Sequence, residues 1–222
     1  MPIAPVIIAL LVADVAVLIW AELRDDRKRI YLFKPIATLL VITLAAFAFK
    51  QEGVSELYAN LILVGLYFSF GGDIALMWPK NPKAFRLGLA SFLLAHIVYT
   101  IAFFKIGTAT SSDIAPIILL LLVSFAFFWI IRAGLEKMRG PVIAYILIIT
   151  TMVAGAIIVQ GSQGVPTLPG TLVLIGALLF YVSDLILAAN RFWRPWQYNR
   201  ISLGFYYSGQ LLIALSAHHM IV

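Results

Sequence analysis

The chain has no cysteine and few charges of either sign: of 222 residues, 16 are Lys or Arg and 10 are Asp or Glu. Without cysteine there are no disulfides and no thiolate chemistry, and the redox compartment is not written in the sequence. The charged share, 12%, is about half that of an ordinary soluble domain. The only histidines are His96, His218 and His219, and they form neither H-E-x-x-H nor H-x-x-x-H, so no metal site is expected. No G-x-S-x-G marks a serine nucleophile, and no glycine-rich signature marks a nucleotide or other organic cofactor.

What is present is hydrocarbon. Hydrophobic residues make up 63% of the chain and fall in blocks separated by short polar stretches. A helix needs about 20 apolar residues to cross a bilayer, and in lipid only helices or closed barrels satisfy every backbone N–H and C=O. No strand-like alternation is visible, so the fold class is all-α, a polytopic integral membrane protein. Eight transmembrane helices are expected, at about 3–20, 31–49, 57–78, 87–104, 113–131, 141–159, 171–189 and 201–219. Lys34-Pro35 and His96 interrupt the second and fourth. The N-terminal run has no basic flank and is too long for a signal peptide, so it reads as a retained first span.

Loop charge orients the bundle. "ELRDDRKRI", "PKNPKAFR", "RAGLEKMRG" and "NRFWRPWQYNR" follow spans 1, 3, 5 and 7. With Lys34 they place 14 of the 16 basic residues on one side, against Lys50 and Lys105 on the other. The positive-inside rule makes that side cytoplasmic and puts both termini outside, as expected in a bacterial cytoplasmic membrane. Trp20, Trp78, Trp129, Trp193 and Trp196 fall at the same ends, where indole rings favour the headgroup level. The net charge of +6 follows from this topology and from anionic lipids as partners, so no nucleic-acid partner is expected. Nothing in the sequence sets an oligomeric state.

An internal similarity points at a site. "GLYFSFGGDIALMW" (Gly65–Trp78) and "GALLFYVSDLILAAN" (Gly176–Asn190) each run Gly, seven residues, Asp, then an apolar turn to the basic edge. Asp184 follows Asp73 by 111 residues, half the chain. In the next spans His96 stands ten residues after Arg86, and Gln210 ten after Arg200. The chain then reads as a single transmembrane domain, 1–222, with halves 1–111 and 112–222 as two parallel four-helix repeats. Chance likeness between apolar helices is the alternative.

Asp73 and Asp184 lie at nearly matching depth, roughly 8–10 Å below the basic interface at 1.5 Å per residue. An ionised carboxylate in hydrocarbon costs about 2.5–3.5 kcal/mol or more, so such residues face the bundle interior and are functional candidates; a structural hydrogen-bonded aspartate is the plain alternative. Brought together, the two would share a proton and supply one general acid and one general base. Ser69 (i−4 from Asp73) and Tyr181 (i−3 from Asp184) are placed to orient them. Tyr206, Tyr207 and Gln210 share one face of span 8. His96 is either a satisfied interhelical bond or a site residue. Arg191, seven residues after Asp184, and Lys34 either meet a lipid phosphate or simply obey the charge rule. Asp14 lies at the same depth without a repeat partner and ranks below the pair.

Taken together, "KPIATLL", "GDIALM", "AH", "SDLILAANRF" and "YYSGQLLIALS" resemble the YhhN family, which includes the animal lysoplasmalogenases, over nearly the whole chain. The resemblance implies an eight-span ether hydrolase that cleaves the vinyl-ether bond of a lysoplasmalogen to a fatty aldehyde and a glycerophospho-base. It implies Asp73 and Asp184 as the catalytic pair and a lysophospholipid partner; with no cofactor signature in the sequence, no cofactor is expected. The family pattern also carries to Lys34, His96, Asn190, Arg191, Tyr206, Tyr207 and Gln210 as substrate-binding candidates. The same carboxylate pair would serve a proton-coupled transporter of lipids or small molecules, the runner-up. An intramembrane aspartyl protease fits poorly, because neither a Y-D nor a G-x-G-D motif is present.

Overall fold

In the computed structural model, residues 3–78, 80–197 and 199–221 are described. Pro79 and Tyr198, in two of the basic loops, and the terminal Met1, Pro2 and Val222 lie outside them. The described residues hold no strand. They form α1 (Ala4–Leu23), α2 (Arg27–Ala46), α3 (Glu56–Ala75), α4 (Pro82–Ile106), α5 (Ile114–Ile131), α6 (Arg139–Gly161), α7 (Thr167–Phe192) and α8 (Ser202–Ser216), joined by short turns. Seven of these helices, α1 to α7, are long and apolar enough to cross a membrane. The chain is an integral, multi-pass membrane protein. α8 has 15 residues, about 22 Å of helix at 1.5 Å per residue.

α1, α2, α4, α6 and α7 run past the apolar windows at their basic ends, and at the starts of α2 and α4 capping groups sit outside the hydrocarbon. Asp26 accepts from Arg29 N at the start of α2. Asn81 accepts from Lys83 N at 2.9 Å with Pro82 at the first helical position, so α4 begins about a turn before the apolar run. Pro35 lies inside α2 without ending it. A missing N–H is tolerated in a membrane helix when neighbouring groups satisfy the freed backbone, and His96 likewise sits in an unbroken α4.

The core is built on α1, α2, α3, α4, α6, α7 and α8, with the closest pairings α3 on α4 and α7 on α8. Glycine permits both. A Cβ on Gly65 would meet the ring of Tyr99, and one on Gly176 would lie 2.9 Å from the carbonyl oxygen of Gly209. Small residues let helices approach closely where dehydration supplies no driving force. α5 is the outermost helix: only Leu120, Ser124 and Ile131 on it are buried. All five tryptophans are exposed on the outside of the bundle. Arg24 and Arg29 stack on Trp20 and Arg132 on Trp129, as anchors at a headgroup layer do.

Candidate functional site

Asp73 and Asp184 line one cavity of about 130 Å³ at the basic end of the bundle, together with Lys34, Ser183, Asn190, Arg191, Arg200, Ser202 and Tyr206. α3 supplies Asp73 and α7 supplies Asp184. Among the described residues the two carboxyl groups make no hydrogen bond to each other, so each belongs to its own set of partners.

Asp73 is 2% exposed and densely held. Its Oδ2 accepts from Thr38 Oγ1 on α2 and from Tyr206 Oη on α8, both at 2.7 Å. Its Oδ1 faces the buried ammonium of Lys34 at 3.9 Å. Tyr207 is one layer behind and donates to the Lys34 carbonyl at 3.2 Å, clamping that turn of α2 to α8. Gln210 is deeper still. It donates to Ser69 at 2.8 Å and accepts from Tyr99 at 2.8 Å, tying α8 to α3 and α4.

Asp184 is sparsely held. Its Oδ2 accepts from Tyr145 Oη on α6 at 2.6 Å. The ring of fully buried His96 approaches the same oxygen at 3.6 Å, beyond hydrogen-bond length. Neither ring nitrogen of His96 has a hydrogen-bond partner among the described residues. The ring is fixed by packing against Tyr145 and Phe180. No Lys or Arg pairs with Asp184 among the described residues. Arg191 lines the same cavity with its guanidinium over Phe85.

The other candidates divide. Lys34, Asn190, Arg191 and Tyr206 line the cavity, whereas His96, Tyr207 and Gln210 stand behind it. Asn190 also accepts from Trp196 N at 2.7 Å, closing the turn after α7. Ser69 and Tyr181 do not orient the carboxylates: Ser69 holds Gln210, and Tyr181 is hydrogen-bonded to Ser124 at 2.6 Å. Asp14 is buried on α1, with Oδ2 unpartnered among the described residues, and lines neither this cavity nor the others described.

A model of the YhhN family matches residues 29–217, a stretch that holds every wall of this cavity. The chain belongs to the YhhN family. It is 29% identical over 201 residues to the Escherichia coli O157:H7 membrane protein YhhN, covering 89% of this chain and 91% of that protein. It is 33% identical over 186 residues to human lysoplasmalogenase TMEM86B, covering 82% and 74%, and 34% identical over 165 residues to the Bos taurus lysoplasmalogenase TMEM86A, covering 72% and 65%. No solved structure matches.

Within this family member, sequence reasoning missed Thr38 and Tyr145, the hydroxyls that bond the two carboxylates. Thr38 carries a faint signal, four residues after Lys34 on the same face of α2. Tyr145 carries none, because only the packing of α6 on α7 brings it to Asp184. Arg200 and Ser202 at the start of α8 were also passed over. Arg200 is paired with Glu22 at 3.2 Å, which ties α1 to the cavity rim.

Proposed function

We propose that the protein is a lysoplasmalogenase-type hydrolase in which Asp184 is the general acid and Asp73 the carboxylate. The observation that carries this is the unequal setting of two aspartates on one cavity. Asp73 faces the Lys34 ammonium at 3.9 Å and accepts two hydroxyl hydrogen bonds, the setting of an anion. Asp184 has one hydroxyl donor and no paired Lys or Arg among the described residues, the setting of a neutral acid. Relatives named lysoplasmalogenase supply the substrate class.

The chemistry balances on this pair. Asp184 gives its proton to the β-carbon of the vinyl ether, and the C=C electrons form the new C–H bond. The oxygen-stabilised cation left behind is met by the Asp73 carboxylate across the cavity. Water adds to the cationic carbon and yields a proton to Asp73, giving a hemiacetal. Asp184, now a carboxylate, takes the hemiacetal hydroxyl proton as the C–O bond to glycerol breaks. Asp73 protonates the departing oxygen. Aldehyde and glycerophospho-base leave, and both carboxyl groups return to their starting states. Arg191 and Arg200 at the basic rim are suited to the phosphate, and Asn190 and Ser202 to the glycerol hydroxyl. Tyr206 and Lys34 hold Asp73. His96, Tyr207 and Gln210 act from behind as positioning residues.

This reading includes α8 as an eighth crossing, both termini outside and the cavity opening to the cytoplasmic leaflet. It is supported by the distribution of 14 of the 16 basic residues. The matched glycine contacts of α3 and α7 support the two-repeat organisation. The test is aldehyde release from a defined lysoplasmalogen by purified protein, with Asp73→Asn and Asp184→Asn beside it. Turnover by the wild type, lost in both folded variants, is expected. A folded wild type silent on choline and ethanolamine lysoplasmalogens overturns the reading.

A further inference from the structure

A second chamber of about 50 Å³ adjoins the carboxylate cavity, enclosed by α4, α5, α6 and α7. Val142, Ile146, Ile149, Leu89, Phe127 and Leu185 give it hydrocarbon walls. The two tyrosine hydroxyls on its wall are already engaged, Tyr145 with Asp184 and Tyr181 with Ser124. The two spaces share Asp184 and Arg191, with Leu76, Phe85, Phe92 and Leu187 as their common partition. On its far side Ile146 also lines an outer groove of about 460 Å³ between α5 and α6, beside Ser124, Phe128 and Thr150. α5, which closes that side, is the least buried helix of the bundle.

We infer that this chamber takes the first carbons of the substrate's hydrocarbon chain, that the rest of the chain leaves between α5 and α6 into the lipid, and that Ile146 is the residue that selects the chain. The inference rests on the hydrolase reading above and adds the second half of the substrate site. A lysoplasmalogen is polar on one side of its vinyl ether and apolar on the other. Here a polar space and an apolar space meet at one shared carboxyl group, so a substrate spanning both presents its scissile bond to Asp184. A chain in a bilayer is already out of water, so the chamber gains little from dehydration and discriminates by shape. A change of wall at Ile146 therefore acts on long chains and spares those that end before reaching it.

The experiment compares Ile146→Trp and Ile146→Ala with wild type on hexadecenyl and butenyl lysoplasmalogens of the same headgroup. Ile146→Trp is expected to lose hexadecenyl turnover by about tenfold or more, the scale of a misfit in an apolar pocket, while butenyl turnover holds. Ile146→Ala, tested also on a hexadecenyl chain methyl-branched beyond its fourth carbon, is expected to turn that substrate over faster than wild type, and no gain overturns the assignment of Ile146. Equal loss on both chain lengths, or no change on either, in a folded Ile146→Trp overturns the inference. A non-hydrolysable saturated-ether lysolipid with a diazirine midway along its chain gives a readout independent of turnover. Labels on 121–128 and 142–150 are expected, and labels confined to α1 and α2 overturn the inference even if Ile146→Trp does not fold. Labelling at α5 and α6 by a wild type that releases no aldehyde would retain the chain chamber and remove the hydrolase reading alone.

Discussion

The two aspartates sit on one cavity in opposite kinds of surroundings. On the α2–α3–α8 side, Asp73 is tied by two hydroxyls and an ammonium, with a second layer of Tyr207, Gln210, Ser69 and Tyr99 behind it. On the α4–α6–α7 side, Asp184 has one hydroxyl, a histidine just out of hydrogen-bond range and a hydrocarbon chamber beside it. Chemically like groups thereby become unlike. The proposed division into a general acid and a carboxylate rests on this difference in partners.

The sharpest way to break the comparison is to neutralise each side in turn. Asp73→Asn and Asp184→Asn should each lower aldehyde release by about a hundred- to ten-thousandfold, the range of a lost general acid or base. They should differ in stability. Asp73→Asn strands the buried Lys34 and should lower the thermal midpoint in detergent, whereas Asp184→Asn should leave it near wild type. Equal midpoints would show that the two surroundings do not differ as described.

Next in size is Lys34→Met. Removing one member of a buried ion pair leaves the other uncompensated, at a cost of about 3–5 kcal/mol. The double variant Lys34→Met/Asp73→Asn should recover much of that stability and none of the activity. Thermal unfolding of the four proteins in the cycle measures the coupling, and additive losses would mean the pair does not act as one.

Gly209→Val asks whether the two sides form a single site. Its Cβ would lie 2.7 Å from the Gly176 carbonyl oxygen and 2.9 Å from Phe180 N, both backbone atoms that cannot turn aside. It should force α8, which bears Tyr206, away from α7, which bears Asp184, at about 1–3 kcal/mol of overpacking. Turnover should fall with both carboxyl groups intact.

The smallest effects belong to the hydroxyls, and they sharpen the contrast. Among the described residues, Tyr145→Phe removes the only hydroxyl bond to Asp184, whereas Tyr206→Phe removes one of two to Asp73. Interhelical hydrogen bonds in membranes average about 0.6 kcal/mol, so neither variant should unfold the protein. Turnover should fall further in Tyr145→Phe, and the reverse order would argue that Asp73 is the more weakly held acid.

Much of this was legible along the chain. Long apolar runs with basic loops and tryptophans at alternate ends mark membrane helices because the bilayer sorts residues one at a time, by transfer energy. Asp73 and Asp184 stood out for the same reason: a carboxylate within hydrocarbon demands an explanation whatever surrounds it. Lys34, Arg191 and Tyr206 stood out by position and Asn190 by family resemblance, and all four line the cavity. Ser69 and Tyr181 were misassigned by a rule that considers only neighbours on one helix. A carboxylate facing a bundle interior is reached mainly from the helices across from it.

Thus the amino-acid order alone determined the all-helical membrane class, the sidedness of charge and the two residues on which chemistry is expected. These depend on local composition and spacing. Which hydroxyl reaches which carboxylate, that Asp73 meets Lys34 while Asp184 meets Tyr145 and an apolar chamber, and that His96 stands just behind the site were decided only by tertiary structure. Helix rotation and separation are set by many small packing contacts, among them the glycine approaches of α3 to α4 and α7 to α8, and no single stretch of sequence contains them.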